Sequence, residues 1–210
     1  MGKSHLSNVP FSINTLLSLP QLYNYFREGI GGAEAARSHV RDFIRPFPNA
    51  RILDIGCGPG NILDFLPRNL EYVGYDISPR YINYAAKKYA SRGSFFCNSV
   101  GKPPELGKFD IVLATAVLHH LDDADAQSLF KTAAHHLNPG GYLITLDNAY
   151  VVGQNRIARW LISMDRGHHV RTPTEYQDLA RPYFSTLLGV VRHDLLRVPY
   201  THFIMKCSNP

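Results

Sequence analysis

The stretch RILDIGCGPGN, Arg51 to Asn61, decides the fold. Its first part, Arg51–Ile55, is mostly apolar and is typical of a short buried strand. Three glycines follow at alternate positions, Gly56, Gly58 and Gly60. Because glycine has no Cβ, its main chain can approach a ligand closely. The stretch therefore predicts a buried strand that leads into a ligand-binding loop.

Segments with strand and helix patterns alternate from about residue 50 onward. This rhythm predicts the α/β class, with a doubly wound, mostly parallel seven-stranded sheet and helices on both faces. The last two strands, Phe184–Arg192 and Tyr200–Lys206, predict an antiparallel hairpin at the edge of the sheet. The other predicted strands are Arg51–Ile55, Tyr72–Tyr75, Ser94–Cys97, Phe109–Thr115 and Tyr142–Leu146.

Composition excludes several classes of protein. With 45% hydrophobic and 19% charged residues, the chain of 210 residues has the composition of a globular domain. Its net charge of +5 permits an anionic substrate but does not demand nucleic acid. Cys57, Cys97 and Cys207 are too widely spaced for a disulfide framework or a zinc site. We expect a cytoplasmic protein without a signal peptide or a membrane span.

Two familiar glycine loops do not fit the sequence. A dinucleotide-binding loop, G-x-G-x-x-G, would need its third glycine at position 61, which is Asn61. A phosphate-binding P-loop would need Gly-Lys followed by Ser or Thr, and that sequence is missing after the strand. A carboxylate, Asp76, ends the next predicted strand, YVGYD, where it can accept hydrogen bonds from the hydroxyls of a ribose.

The sequence resembles the class I, Rossmann-like S-adenosylmethionine-dependent methyltransferases, in particular the small-molecule, type 11-like group. The resemblance covers about residues 50–147 and rests on motifs in the right order. These are D-x-G-x-G-x-G from Asp54, Asp76 at a strand end, Cys97-Asn98-Ser99, and the stretches FDIVLATAVLHHL and LNPGGYLITLD.

The resemblance implies S-adenosylmethionine as cofactor, S-adenosylhomocysteine as product, and no metal. It implies that Asp76 holds the ribose and that Asn98, where the family often has Asp, receives the adenine amino group. The methionine amino group would meet backbone carbonyls at Ala114 and Thr115. The expected cofactor-binding residues are Asp54, Gly56, Cys57, Gly58, Gly60, Asp76, Ile77, Asn98, Ser99, Ala114 and Thr115.

The chain is expected to form a single domain with four parts. These are an N-terminal helical cover at residues 1–48, the cofactor-binding core at 50–147, a helical substrate insert at 148–183 and the hairpin at 184–210. Helices are predicted at Leu16–Ile30 and Ala33–Ile44 within the cover.

His119 is the candidate general base, because it follows a central strand at the edge where open α/β sheets bind ligands. The alternative is that His119 and His120 serve packing. For the acceptor, Arg166, His168 and Arg171 in the insert predict a grip on an anion, and Tyr23 offers an aromatic wall. A metal pair at the adjacent His168 and His169 is not expected, because their side chains diverge.

These features predict methyl transfer to a small-molecule acceptor, anionic or aromatic, by a monomer or homodimer. Two signatures of DNA methyltransferases are missing. Enzymes that methylate amino groups of bases carry Asp/Asn-Pro-Pro-aromatic after the fourth strand, but residues 114–117 are Ala-Thr-Ala-Val. Enzymes that methylate carbon 5 of cytosine use a cysteine that follows a proline, and none of the cysteines does so. Two alternatives stay open, a methyltransferase-like binding protein without turnover and an enzyme acting on RNA or protein. A nicotinamide oxidoreductase is disfavoured by the position of the third glycine.

Overall fold

The computed structural model describes residues 29, 31–165 and 167–209. A seven-stranded sheet with the strand order β3-β2-β1-β4-β5-β7-β6 forms its centre. Strands β1 to β5 run parallel, and β7 pairs antiparallel with both β5 and β6. The strands are β1 Arg51–Ile55, β2 Glu71–Asp76, β3 Ser94–Cys97, β4 Phe109–Thr115, β5 Leu137–Asn148, β6 Thr186–Arg192 and β7 His202–Ser208.

Five α-helices surround the sheet over the described ranges. Most begin at a side chain that accepts a hydrogen bond from the first turn: Ser78, Asp122, Asn155 and Thr172 cap α2 to α5. The helices are α1 Gly32–His39, which continues into a π-helical turn at Val40–Ile44, α2 Pro79–Lys88, α3 Asp123–His136, α4 Arg156–Ser163 and α5 Pro173–Ala180.

The two faces of the sheet carry separate cores, because successive strand residues point to opposite sides. On β1, Ile52 belongs to one core and Leu53 to the other. On β4, Ile111 and Val112 divide in the same way. The long apolar runs of these central strands are explained by this double burial.

The predicted fold is confirmed, with local differences. The segment after the glycine loop forms only a short 3-10 turn, Asn61–Asp64. Strand β5 begins at Leu137 rather than at the predicted Tyr142. The turn-forming NPGG sequence at residues 138–141 therefore lies within the strand, where Gly140 takes a positive φ of 75°. Of the two last strands, only β6 lies at the sheet edge, since β7 is inserted between β5 and β6. The predicted helix Leu16–Ile30 falls almost wholly outside the described residues.

This topology brings one end of β7 to the functional edge of the sheet. The parallel strands β1 to β5 all end at the same edge. Because β7 runs the opposite way, its first residue, His202, pairs with Asn148 at the end of β5. Residues that begin β7 therefore lie beside the loops that follow β1 and β4. No helix in the part of the chain that the structure describes is long and apolar enough to span a membrane.

Asp110 ties three strands together at the opposite edge. Its carboxylate accepts the backbone N–H of Arg51 on β1 at 2.9 Å and the amide of Asn138 on β5 at 2.8 Å. We expect Asp110→Ala to lower the free energy of unfolding by about 1–3 kcal/mol, because both donors lose their partner. Urea denaturation measures this change.

Asp178→Ala is the matched control, because this exposed carboxylate pairs with Arg181 at 3.4 Å on the surface of α5. Its loss should cost about 0–1 kcal/mol. Equal destabilisation by the two substitutions would show that Asp110 does not join the strands in the way described.

Candidate functional site

A cavity of about 770 Å³ lies along the edge where the parallel strands end. Its walls come from the loops after β1, β2, β3 and β4, from α1, and from residues at and before the start of β7. It therefore extends past six of the seven strands, from Asn98 after β3 to His202 on β7. Open α/β sheets bind their ligands at this edge.

The glycine loop forms the floor of one end of the cavity. Gly56 takes φ 73° and Gly58 φ 54°, which are left-handed conformations that side chains disfavour. A Cβ on Gly56 would lie 2.6 Å from a methyl group of Val117, whereas a Cβ on Gly58 would meet no atom within 4 Å. Gly58 thus leaves its main chain open towards the cavity, while Gly56 allows the loop to pack against the turn after β4.

Asp76 connects this loop with the end of β2. Its carboxylate accepts the backbone N–H of Gly58 at 3.0 Å and that of Ser78 at 2.8 Å. Burial raises the pKa of Asp76, and these two hydrogen bonds oppose the change. Each carboxylate oxygen keeps a further lone pair for a ligand. The carboxylate can therefore both fix the loop and receive a hydroxyl group.

Asp54 is a second, more deeply buried carboxylate at the cavity. It accepts a hydrogen bond from the hydroxyl of Tyr72 at 2.7 Å. Burial raises its pKa to about 7, with the Tyr72 hydrogen bond acting against the shift and the charge of Asp76 adding to it. Near neutral pH the side chain is thus divided between its charged and neutral forms.

Most of the residues predicted to bind the cofactor meet at the cavity. Ala114, fully buried within β4, and Gly60 do not line it. Asn98 donates through its amide nitrogen to the carbonyl of Lys102 at 3.0 Å, so its amide oxygen is the atom that would accept a hydrogen bond from a ligand. The predicted residues that line the cavity are Asp54, Gly56, Cys57, Gly58, Asp76, Ile77, Asn98, Ser99 and Thr115.

The placement of His119 does not support its predicted role as general base. Its Nδ1 lies 2.7 Å from Asp147, its Nε2 lies 3.6 Å from Asp165, and the ring does not line the cavity. Burial alone would lower its pKa, but the hydrogen bonds and charges of the two aspartates raise it to about 9. An imidazole that is already protonated at neutral pH cannot take a proton from an acceptor.

His119 instead anchors the segment that follows α4. Its carbonyl accepts the backbone N–H of His169 at 3.0 Å. A Cβ on Gly167 would lie 2.1 Å from the His119 ring, so only glycine allows this approach. Asp165, which faces the ring, is held by the hydroxyl of Tyr200 at 2.9 Å. Sequence reasoning assigned this segment to substrate binding, whereas these contacts give it a structural role.

Arg171 is likewise engaged by groups of the protein itself, which does not support its predicted role at an anionic acceptor. Its guanidinium group makes five hydrogen bonds, to the Asp123 carboxylate and to the carbonyls of Leu118, Leu121 and His169. A guanidinium has five N–H donors, so none remains for a ligand.

The other predicted acceptor residues do not converge on the cavity. His168 is exposed and does not line it. Two further arginines, Arg156 and Arg159 on α4, line a separate small depression beside Trp160. Tyr23 and Arg166 lie outside the described residues. Among the described residues that line the cavity, Lys102 is the one lysine or arginine, and it lies at the end near Asn98.

Sequence reasoning missed two buried histidines in the cavity wall, His39 on α1 and His202 at the start of β7. His39 lies within a predicted helix and His202 within a predicted strand, so each resembled an ordinary element residue. The signal available was the position of His202 near the start of a strand predicted to run antiparallel to its neighbours, which places it at the ligand-binding edge.

One group among the described residues has the composition of a metal site. His119, His120 and Asp165 each place a ligand atom within 4.8 Å of the others. In the structure, both ring nitrogens of His119 already face carboxylates, Nδ1 that of Asp147 and Nε2 that of Asp165. The expectation that no metal is needed stays a prediction.

Comparison with known proteins places this geometry in a family. Residues 53–143 match the family described as "Methyltransferase domain". The "Ubiquinone biosynthesis O-methyltransferase" of Azorhizobium caulinodans is 34% identical over 144 residues, covering 62% of this chain and 55% of that protein. That of Brucella anthropi is 33% identical over 152 residues, covering 66% and 57%. The chain thus spans little more than half the length of these curated relatives.

Solved structures confirm the fold. A TehB-like S-adenosylmethionine-dependent methyltransferase from Corynebacterium glutamicum superimposes with a TM-score of 0.68 at 14% identity, covering 94% of this chain and all of that one. Magnesium protoporphyrin IX methyltransferase from Synechocystis, crystallised with S-adenosylhomocysteine, gives 0.68 at 15% identity, covering 94% and 98%. The fold is that of the class I methyltransferases, and the methyltransferase domain matched at residues 53–143 agrees with the predicted family and with its cofactor, S-adenosylmethionine.

The charged state of His119 predicts a pH-dependent stability. An unfolded histidine titrates near 6.5, and the folded value is about 9. The folded state therefore favours the protonated ring, so the stabilisation is complete below pH 6.5 and is lost as the pH rises to about 9. The full loss amounts to about 3 kcal/mol.

Urea denaturation of the wild type and of His119→Gln, between about pH 6 and pH 10, measures this effect. The wild type should be the more stable protein at low pH, and the difference should shrink as the pH rises through the window. A difference that does not change with pH would show that His119 is not held as a cation.

Proposed function

We propose that this chain, whose residues 53–143 are a class I S-adenosylmethionine-dependent methyltransferase domain, transfers a methyl group to a hydroxyl on a small, mostly apolar acceptor. One observation carries the proposal: a single cavity joins the glycine loop and Asp76 at one end to an apolar chamber at the other. Such a cavity accommodates a cofactor and an acceptor side by side.

The residues at the first end fit the cofactor. The open side of Gly58 admits a ligand against the main chain, and no side chain of the described residues fills that space. Asp76 offers lone pairs for the ribose hydroxyls, and the amide oxygen of Asn98 suits the adenine amino group. When bound there, S-adenosylmethionine supplies a methyl group that is already activated for in-line attack.

The turn after β4 lies between the two ends of the cavity. Ala116 is held at φ 58°, a positive value that is uncommon for a residue with a Cβ, and its N–H donates to the Leu146 carbonyl at 2.7 Å. Such backbone strain concentrates at functional sites. Beside it, the buried hydroxyl of Thr115 has no hydrogen-bond partner among the described residues. We propose that this turn positions the reacting groups of cofactor and acceptor.

The second end of the cavity defines the acceptor class. Its lining is largely apolar, and among the described lining residues no lysine or arginine lies there. Arg171 is fully engaged elsewhere, so a carboxylate or phosphate group would lack a cationic partner in this part of the wall. The apolar residues of this end are Ala35, Ala36, Leu146, Leu195 and Leu196. This lining favours an uncharged ring over an anionic acceptor.

The name of the curated relatives supports oxygen as the attacking atom. Both compared proteins are called O-methyltransferases of ubiquinone biosynthesis. Apolar walls reduce competition from water around the reacting hydroxyl, and the bound orientation brings the oxygen in line with the methyl group. The chain's contribution to catalysis is thus mainly alignment and exclusion of solvent.

Asp76→Ala tests the cofactor end. We expect the dissociation constant for S-adenosylhomocysteine, measured by calorimetry, to rise by about fivefold to 150-fold, equivalent to 1–3 kcal/mol, because a charged hydrogen-bond acceptor is lost. Asp178→Ala, on the exposed surface of α5, should leave it unchanged. An unaltered affinity in Asp76→Ala would remove this carboxylate from the site.

Methyl transfer from labelled S-adenosylmethionine to a panel of compounds tests the reaction. The panel contains phenols, matched benzoates without a hydroxyl, anilines, RNA and a protein extract. We expect label on the phenols, because the acceptor end is apolar and lacks a described cationic residue. Label on benzoates, RNA or protein alone would contradict the proposed acceptor class. Cofactor binding without transfer to any compound would favour a binding protein.

A further inference from the structure

Two histidines occupy the acceptor end of the cavity. His39, the last residue of α1, is 1% exposed, and His202, the first residue of β7, is 8% exposed. Both line the cavity. They come from distant parts of the chain. His39 reaches the cavity from α1, and His202 reaches it from the edge of the sheet at which β7 begins. Neither belongs to the glycine loop or to the strand ends predicted to hold the cofactor.

The ring nitrogens of this pair lack partners within the described protein. Both nitrogens of His39 and Nδ1 of His202 are buried without a hydrogen bond. Leaving a buried polar atom unsatisfied costs about 1–3 kcal/mol, so such groups are rare in native proteins. The rings themselves are held by neighbouring aromatic residues, Phe43 at 6.0 Å from His39 and Tyr200 at 5.0 Å from His202, measured between ring centroids. Positioned rings with unpaired nitrogens indicate a ligand.

Both rings are uncharged at neutral pH. Burial lowers the pKa of His39 to about 4, and repulsion between the two rings when both are protonated adds to the shift. Burial also lowers the pKa of His202 to about 4, with nearby His119 acting in the same direction. A neutral imidazole carries one N–H donor and one bare nitrogen that accepts a hydrogen bond. The pair can therefore accept a hydrogen bond from a hydroxyl group and also donate a hydrogen bond to an oxygen.

The position of the pair along the sheet separates it from the cofactor residues. Asp76 ends β2 and Asn98 follows β3, both on one side of β1, whereas His202 begins β7, beyond β4 and β5 on the other side. The intervening wall includes Leu146 on β5. A ring that packs on this apolar wall would present its hydroxyl-bearing edge both to the histidines and to the turn after β4.

We propose that His39 and His202 form the subsite that binds the hydroxyl-bearing edge of the acceptor, an assignment that rests on the proposed methyltransferase function. The recognised class is an uncharged aromatic ring that carries a hydroxyl. The histidines supply the polar contacts, and the surrounding leucines and alanines supply the apolar ones. This subsite replaces the arginine cluster that the sequence predicted for acceptor binding.

Nuclear magnetic resonance of the full chain with ¹⁵N-labelled histidine, saturated with S-adenosylhomocysteine, tests the subsite directly. Phenol is the probe, and toluene, which has a similar shape but no hydroxyl, is the control. We expect phenol to shift the imidazole nitrogen signals of His39 and His202 at concentrations where toluene does not. Absence of a phenol-specific shift in both histidines would overturn the proposal.

Substitutions supply the second measurement. His39→Phe and His202→Phe should each weaken phenol binding at least threefold and together at least tenfold, whereas His202→Asn should retain part of the affinity through its amide. His135→Phe, on the exposed part of α3 away from the cavity, is the matched control. Unchanged phenol binding in the double variant would contradict the assignment.

The cofactor affinity of each variant distinguishes failure of this inference from failure of the proposed function. Unchanged binding of S-adenosylhomocysteine shows that a variant folds and keeps the cofactor end intact. Wild-type protein that methylates phenols, together with equally active double variants, would refute the histidine subsite alone. Wild-type protein that binds neither S-adenosylmethionine nor S-adenosylhomocysteine would refute the function.

Discussion

The carboxylate of Asp76, shared between the backbone N–H groups of Gly58 and Ser78, is the interaction on which the cofactor end depends. It joins the glycine loop after β1 to the start of the helix after β2, so two separate chain segments keep one relative position. The loop can make this contact because Gly58 adopts a left-handed backbone at φ 54°. One side chain thus both builds the floor of the cavity and faces its interior.

The acceptor end depends on a different set of contacts. His119, Asp147 and Asp165 hold the segment after α4, and Arg171 fixes the same segment to the turn at residues 118–121. These ionic groups pair with one another or with backbone carbonyls, and their side chains do not line the cavity. The described wall of the acceptor end consists mainly of apolar residues and of the uncharged His39 and His202. Asp165 and Arg171 of the insert thus support this end without lining the cavity.

The sequence predicted the parts whose pattern is local. The strands of the sheet, the glycine loop and Asp76 depend on periodicity and on glycine spacing, and the structure has them at nearly the predicted positions. The acceptor residues depend on contacts between distant segments, which spacing does not encode. Arg171, for example, resembles a free cation in the sequence, and only the fold brings Asp123 and the Leu118 and Leu121 carbonyls around it. His39 and His202 are 163 positions apart in the numbering and meet the same cavity for the same reason.

The histidines of this protein show how surroundings decide the role of one residue type. His119 and His202 are both nearly excluded from solvent, yet the pKa of His119 is raised to about 9 and that of His202 is lowered to about 4. The difference comes from Asp147 and Asp165, which flank His119 and stabilise its charge, whereas burial dominates at His202. A cation suits a buried structural junction, and a neutral ring suits a polar contact within an apolar chamber. The sequence does not distinguish these two environments, because the carboxylates that determine the difference lie 28 and 46 positions beyond His119 in the chain.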